Sequence, residues 1–293
     1  MPTSNRLGFA TLILLALGIQ PSPAGAPKIT ATHDIPYARV GRADLKLDLA
    51  CPVEGTGPFP AVVVLYGGAW RMGNKWGNRP TLAEFARRGY VAIAPQYRHC
   101  PADTFPAQVH DVKAAVRWLR AHAAEYRVDP DHIGAMGFSS GGHLALMLGV
   151  TGPADGLEGD VPPDSPSSKV QAVVNYFGPS DFLATDVPEY SQGLVRDFLG
   201  ATPADLPEVA AKASPVTFLS RDDAPILTFH GTKDPLVPHT QATRLAEAMT
   251  RVGLAGRTEL LVGAGHGWFG DQMKRTMADT YTFFETHLRP TPR

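Results

Sequence analysis

The chain has 293 residues, 27 Lys and Arg against 28 Asp and Glu, and 44% hydrophobic residues. That length and apolar content support a full buried core, while the balanced charge argues against a disordered chain and against a nucleic-acid-binding surface. With 29 Gly and 27 Pro but no Gly-X-Y period, heptad run or self-similar block, collagen, coiled coil and solenoid are excluded as well.

Residues 1–26 read as an export signal. Arg6 supplies a positive start, residues 7–19 an apolar stretch, and Ser22, Ala24, Gly25 and Ala26 small residues for cleavage after Ala24 or after Ala26. The apolar stretch falls short of the roughly 20 residues that span a bilayer, so no stable membrane anchor is expected. The remaining chain, 27–293, is expected to be one secreted or periplasmic domain. Cys51 and Cys100 are the only cysteines. They can pair in an oxidising compartment, but their spacing does not show that they meet, and free thiols are the expectation.

Past the Gly41 turn, Leu45, Leu47 and Leu49 alternate with Lys46 and Asp48, the period of two of a half-buried strand in a hairpin. Continuous apolar runs follow at 61–66, 90–94, 133–138, 170–177, 226–230 and 259–262, the pattern of strands covered on both faces. Helical stripes lie between and after them. Val109, Val112, Val116 and Leu119 form one, Leu245, Met249 and Val252 before Gly253 a second, and Met273, Met277, Tyr281, Phe284 and Leu288 a third. Strands alternating with helices imply an α/β fold with a mostly parallel sheet and ligands at the carboxyl ends of its strands. Residues 151–169 and 184–218 break the rhythm and read as small cap insertions that shape a pocket rim.

Gly137-Phe138-Ser139-Ser140-Gly141 follows one buried strand and opens the apolar helix at 143–148, the setting of a nucleophile elbow with Ser139 at its tip. A serine hydroxyl needs a base to take its proton, and the base needs an acid to hold its tautomer. Asp234 and His266 each lie just past a later buried strand, so both loops open at the edge that carries Ser139. The chain order Ser, Asp, His is that of an α/β-hydrolase. Asp181, also past a strand end, is the reserve acid. His230 and His143 read as core groups, and His99, His110 and His239 as loop or helix-surface residues. Tyr66-Gly67-Gly68-Ala69-Trp70 ends another strand, where glycines let backbone N–H groups turn toward an oxyanion. Trp70 and Trp268 flank two of these loops, as walls of an aromatic substrate pocket or as packing.

Taken together, these segments resemble α/β-hydrolase fold serine esterases, especially the secreted feruloyl-esterase-like branch that includes acetyl-xylan esterases and is related to the hormone-sensitive-lipase group. The likeness rests on Tyr66 to Arg71, Tyr97-Arg98, the helix of Asp111, Gly137 to His143, 170–182, Ser214-Pro215, 230–238 and Gly263 to Trp268. It implies an eight-stranded, mostly parallel sheet with helices on both faces. It also implies Ser139 as nucleophile, Asp234 as acid, His266 as base, oxyanion donors at Gly68, Ala69 and Ser140, and structural roles for Arg98 and Asp111. The family begins its oxyanion loop with His-Gly-Gly, and here Tyr66 stands in place of that His. The implied activity is hydrolysis of a small-molecule or polysaccharide-linked ester through an acyl-enzyme, with no metal, organic cofactor or nucleic acid. A lipase, a prolyl-oligopeptidase-like peptidase and a non-catalytic binding protein on the same fold are the alternatives.

Overall fold

The computed structural model describes Gly25 and residues 27–289, so the expected export signal, apart from Gly25, lies outside the described residues. A hairpin of β1 (Ile29–Val40) and β2 (Ala43–Pro52) turns at Gly41, which takes the left-handed conformation that glycine adopts without strain. Six further strands follow: β3 (Phe59–Leu65), β4 (Val91–Pro95), β5 (Val128–Phe138), β6 (Ala172–Tyr176), β7 (Ile226–Gly231) and β8 (Gly256–Leu261). All eight join one sheet in the order β1-β2-β4-β3-β5-β6-β7-β8. The first two strands are antiparallel to their neighbours, and β3 through β8 run parallel.

The inner parallel strands β3, β4, β6 and β7 are largely buried because both faces are covered. The edge strand β8 corrects the expectation for 259–262: it carries Arg257 and Glu259, is exposed or half-buried except at Leu261, and is followed by exposed Val262, because an edge strand has a neighbour on one side only. In β3, Ala61, Val63 and Leu65 enter one core and Val62 and Val64 the other. On the first face lie α2 (Ala107–Ala121), α4 (Ser140–Val150) and α7 (Thr240–Val252). On the second lie α1 (Arg79–Arg87) and α8 (Gly270–Leu288), with Phe85, Phe284 and Leu288 fully packed. The expected stripes of α2, α7 and α8 face inward as their spacing requires. Helix α1 has only Leu82, Phe85 and Ala86 as apolar anchors, too brief a pattern to announce itself in sequence. The single turn α3 (Ala123–Tyr126) ends at Arg127 in the left-handed conformation.

The two irregular segments lie at opposite edges of the sheet, which corrects the expectation that both form a rim. Residues 151–169 join the C-terminus of α4 to the start of β6, and that connection must run along the amino edge, away from Ser139. Buried Lys113 and half-buried Arg117 of α2 pair with Glu158 at 2.7 and 2.6 Å and hold the segment down. Residues 184–218 instead leave the carboxyl end of β6. They form α5 (Glu189–Leu199) and α6 (Pro207–Ala213) beside the loops named above. Both cysteines are free, Cys100 buried and Cys51 half-buried.

Candidate active site

The turn from β5 into α4 is as sharp as the motif requires. Ser139 sits at φ 54°, ψ −121°, a region that a side chain enters only under constraint. The constraint is visible: its N–H donates to the Tyr176 carbonyl at 2.8 Å, and its own carbonyl accepts the His143 N–H at 3.0 Å. A Cβ on Gly137 would stand 2.2 Å from the Gly141 oxygen, and one on Gly141 would stand 2.3 Å from the Leu65 oxygen. The glycines are therefore demanded by the closeness of β3, β5 and α4.

Three loops at the carboxyl edge bring Ser139, His266 and Asp234 together. Ser139 Oγ lies 2.9 Å from His266 Nε2, and His266 Nδ1 lies 2.7 Å from Asp234 Oδ2. The other carboxylate oxygen, Oδ1, accepts the N–H groups of Leu236 and Val237 at 2.9 Å each. Burial by itself would raise the Asp234 pKa. Hydrogen bonds from His230, His266 and the Val237 N–H outweigh that burial and hold the carboxyl well below the usual range. A fixed carboxylate keeps the proton of neutral His266 on Nδ1, which leaves Nε2 free to accept the hydroxyl proton. Asp181 takes no part: its carboxylate accepts the Leu183 N–H and faces Arg244.

The loop after β3 passes beside the elbow. A Cβ on Gly67 would meet the Phe138 oxygen at 2.7 Å, and one on Gly68, at φ 137°, would meet the Met72 oxygen at 2.2 Å. Among the described residues, the Gly68 and Ala69 N–H groups donate to no protein acceptor. Ser140 opens α4, so its N–H is among the donors a helix leaves unpaired at its start. Tyr66 braces this loop with its phenol. Its ring stacks on Tyr97 at 4.3 Å, and its oxygen accepts the Tyr97 N–H at 3.2 Å and lies 3.2 Å from His99 Nε2. Tyr97 returns a hydroxyl bond to the Tyr66 carbonyl at 2.9 Å. Burial raises the Tyr66 pKa, so the phenol stays neutral. Arg98 and Asp111 form a multiply bonded pair behind the loop.

The BD-FAE family model matches residues 47–249, a span that holds the elbow and the Asp234 loop. The chain belongs to the BD-FAE family. Among its relatives is a probable carboxylic ester hydrolase, LipM, from Mycobacterium tuberculosis, 35% identical over 231 residues that cover 75% of this chain. The chain spans about half the length of the curated relatives it matches, 52% of LipM. A truncated carbohydrate esterase from gut microbiota superposes with a TM-score of 0.78 at 30% identity, covering 89% of this chain and 98% of its own. Esterase 2 of the planctomycete Thermogutta terrifontis, solved with propionate bound, superposes with a TM-score of 0.71 at 29% identity, covering 93% and 99%. The BD-FAE chain thus has the α/β-hydrolase fold of an esterase family.

Two aromatic residues of this BD-FAE site differ from the pocket-wall reading. Trp70 and Trp268 are each only 4% exposed. The Trp70 indole stacks on Phe198 at 4.1 Å and donates to His143, and Trp268 donates to Thr276 Oγ1 at 3.0 Å. Both are structural packing, because an indole N–H that meets a buried acceptor is satisfied only with the ring turned inward. Residues not expected at the site stand close to it. Phe177, at φ 43°, holds its ring 4.7 Å from that of His266. His230 is more than a core group: Nε2–H donates to the Val237 carbonyl at 2.8 Å and lies 3.4 Å from Asp234 Oδ2, while Nδ1 has no partner among the described residues. The one sequence signal for His230 was its place at the end of the strand that delivers Asp234. Among the described residues, no group of three or more His, Cys, Asp or Glu side chains is arranged to hold a metal ion.

Proposed function

We propose that the protein is a serine carboxylic-ester hydrolase that works through an acyl-enzyme. The observation that carries this reading is the continuous hydrogen-bonded line from Ser139 Oγ through His266 to Asp234, mounted on a strained elbow beside free backbone donors. As His266 Nε2 takes the hydroxyl proton, Ser139 Oγ forms a bond to the ester carbonyl carbon. The carbonyl oxygen becomes negative against the N–H groups of Gly68, Ala69 and Ser140. Collapse expels the alcohol, which leaves with the proton held by His266. Water then repeats the sequence on the acyl-serine and releases the acid.

The substrates we propose are small acyl or feruloyl and acetyl esters, including those linked to plant polysaccharide. Support comes from the carbohydrate esterase among its structural neighbours and from the Thermogutta terrifontis esterase with propionate bound. Tyr190 and Phe269, 75% and 68% exposed on segments adjoining the Asp234 and His266 loops, offer faces on which a sugar ring can stack. Export of the mature chain belongs to the same reading, and N-terminal sequencing of the protein from culture medium or periplasm tests it. Replacing Ser139 with Ala lowers kcat by about 10⁴–10⁶ with folding intact. Retained p-nitrophenyl acetate hydrolysis overturns the assignment. A series of p-nitrophenyl esters of rising chain length, with methyl ferulate and acetylated xylan, resolves the acyl preference, and a preference for long chains excludes the small-acyl reading.

A further inference from the structure

We propose that His143 is a positioning residue for ester hydrolysis, locking the Trp70 indole, and through it the Ala69 N–H, against the helix that begins at Ser140. The proposal rests on the Ser139 reading given above. His143 is a polar group with no solvent exposure, on a helix whose next five residues, Leu144 to Leu148, are apolar and equally buried. A polar side chain at such a position is destabilising unless both its ends are bonded. Both are. Nδ1 accepts the Trp70 indole N–H at 3.2 Å, and Nε2–H donates to the Ala213 carbonyl at 2.8 Å. The two bonds require one tautomer of the neutral ring, and burial, partly offset by the Ala213 bond, pushes its pKa down to about 4.

What these bonds hold is strained. Ala69 and Trp70 are consecutive non-glycine residues at φ 52° and 57°. A pair of this kind persists only where its surroundings over-determine it, and a bulky residue there is an outlier. Three contacts supply the constraint at Trp70. The indole N–H is anchored on His143, the ring is stacked on Phe198, and the carbonyl accepts the Cys100 N–H at 2.9 Å. Freed of them, the 69–70 backbone relaxes toward the right-handed region and turns the Ala69 N–H away from the site. The His143 main chain meanwhile donates to the Ser139 carbonyl at 3.0 Å, so one residue ties the nucleophile turn, the oxyanion loop and the end of α6 together.

The test compares His143→Asn, His143→Gln, His143→Phe and Trp70→Phe by kcat, KM and inhibition by a trifluoromethyl ketone. Asn places an amide atom where Nδ1 was, so it can still accept from Trp70. Gln places its amide where Nε2 was and serves only Ala213. Misaiming an oxyanion donor lowers kcat for His143→Phe about 10- to 100-fold and weakens the ketone in parallel, with KM within about threefold. His143→Asn recovers kcat to within about fivefold of the parent, and His143→Gln does not. Trp70→Phe shows the same loss, and adding His143→Phe to it deepens the loss no further. A folded His143→Phe enzyme with unaltered kcat overturns the proposal, as do additive losses. Where His143→Phe does not fold, equal kcat in the Asn and Gln variants overturns it. Hydrolysis surviving in Ser139→Ala brings down the esterase reading itself, whereas an inactive Ser139→Ala beside fully active His143 variants removes only this inference.

Discussion

Replacing Asp234 with Asn tests the proposed relay at its acid, and the surroundings dictate how the new amide must sit. The Oδ1 position receives two N–H groups, from Leu236 and Val237, at 2.9 Å. An amide NH₂ placed there would lose two hydrogen bonds, worth about 0.5–1.5 kcal/mol each, and add donor–donor repulsion. Keeping the oxygen there costs only a donor–donor contact with His230 Nε2, 3.4 Å from the Oδ2 position. The oxygen therefore stays, and the amide NH₂ faces His266 Nδ1. That nitrogen must become the acceptor, which puts the ring proton on Nε2, where it blocks abstraction of the Ser139 proton. We expect kcat to fall about 10⁴-fold, about 5 kcal/mol of barrier. Asp234→Ala, which imposes no tautomer, should retain more activity than Asp234→Asn. Steady-state hydrolysis of p-nitrophenyl acetate, with near-ultraviolet circular dichroism as the fold check, decides it. An Asn enzyme within about tenfold of the parent, or above the Ala enzyme, refutes the tautomer argument.

Removing the Tyr66 hydroxyl in Tyr66→Phe orphans the Tyr97 N–H and the contact to His99. It should cost about 1–3 kcal/mol in stability and lower kcat about tenfold through a looser oxyanion loop. Urea unfolding and kcat read the two effects, and an unchanged kcat denies Tyr66 its bracing role. Gly141→Ala places a methyl against the Leu65 and Tyr66 carbonyls and should destabilise by about 3 kcal/mol. Gly193→Ala, in α5 with open space around it, should stabilise by about 0.5–1 kcal/mol; equal effects at the two glycines contradict the close approach of α4 to β3. Acid should destabilise in two stages. His143 titrates near 4 when folded and near 6.5 when unfolded, so between those values the unfolded chain binds more protons. That contribution of about 3 kcal/mol is whole above pH 6.5 and is lost as pH falls toward 4. Asp234, held low in the fold, adds a further loss below about pH 4. Calorimetric Tm should therefore drop between pH 7 and 4.5, and a flat profile there shows that His143 is not held neutral by burial.

Local rules carried much of the reading. The nucleophile elbow, the continuous apolar strands and the stripes of α2, α7 and α8 depend on residues within a few positions of one another, and the linear chain records such spacing directly. The loops of Asp234 and His266 followed from strand order, because each lies just past an apolar run and parallel strands end at one edge. Helix α1 escaped because two turns hold too few apolar residues to make a period. Strand β1 was legible only as the hairpin partner implied before Gly41, and its extent was not, because it is largely exposed and its pairing shifts near Thr32 and again near Pro36. Placing 151–169 required counting which edge of the sheet a helix ends on, which composition does not express.

What tertiary structure alone decided is which side chains meet. Trp70 and His143 are 73 residues apart, Ser139 and His266 127 apart, and the inward turn of both tryptophans depends on acceptors supplied by other segments. The amino-acid order determined the strands, the elbow and the three chemical groups, since periodicity and turn chemistry are short-range. Distances between those groups, the tautomer of each buried imidazole and the aim of the proposed oxyanion donors belong to the fold, because they arise from packing between surfaces that no local pattern encodes.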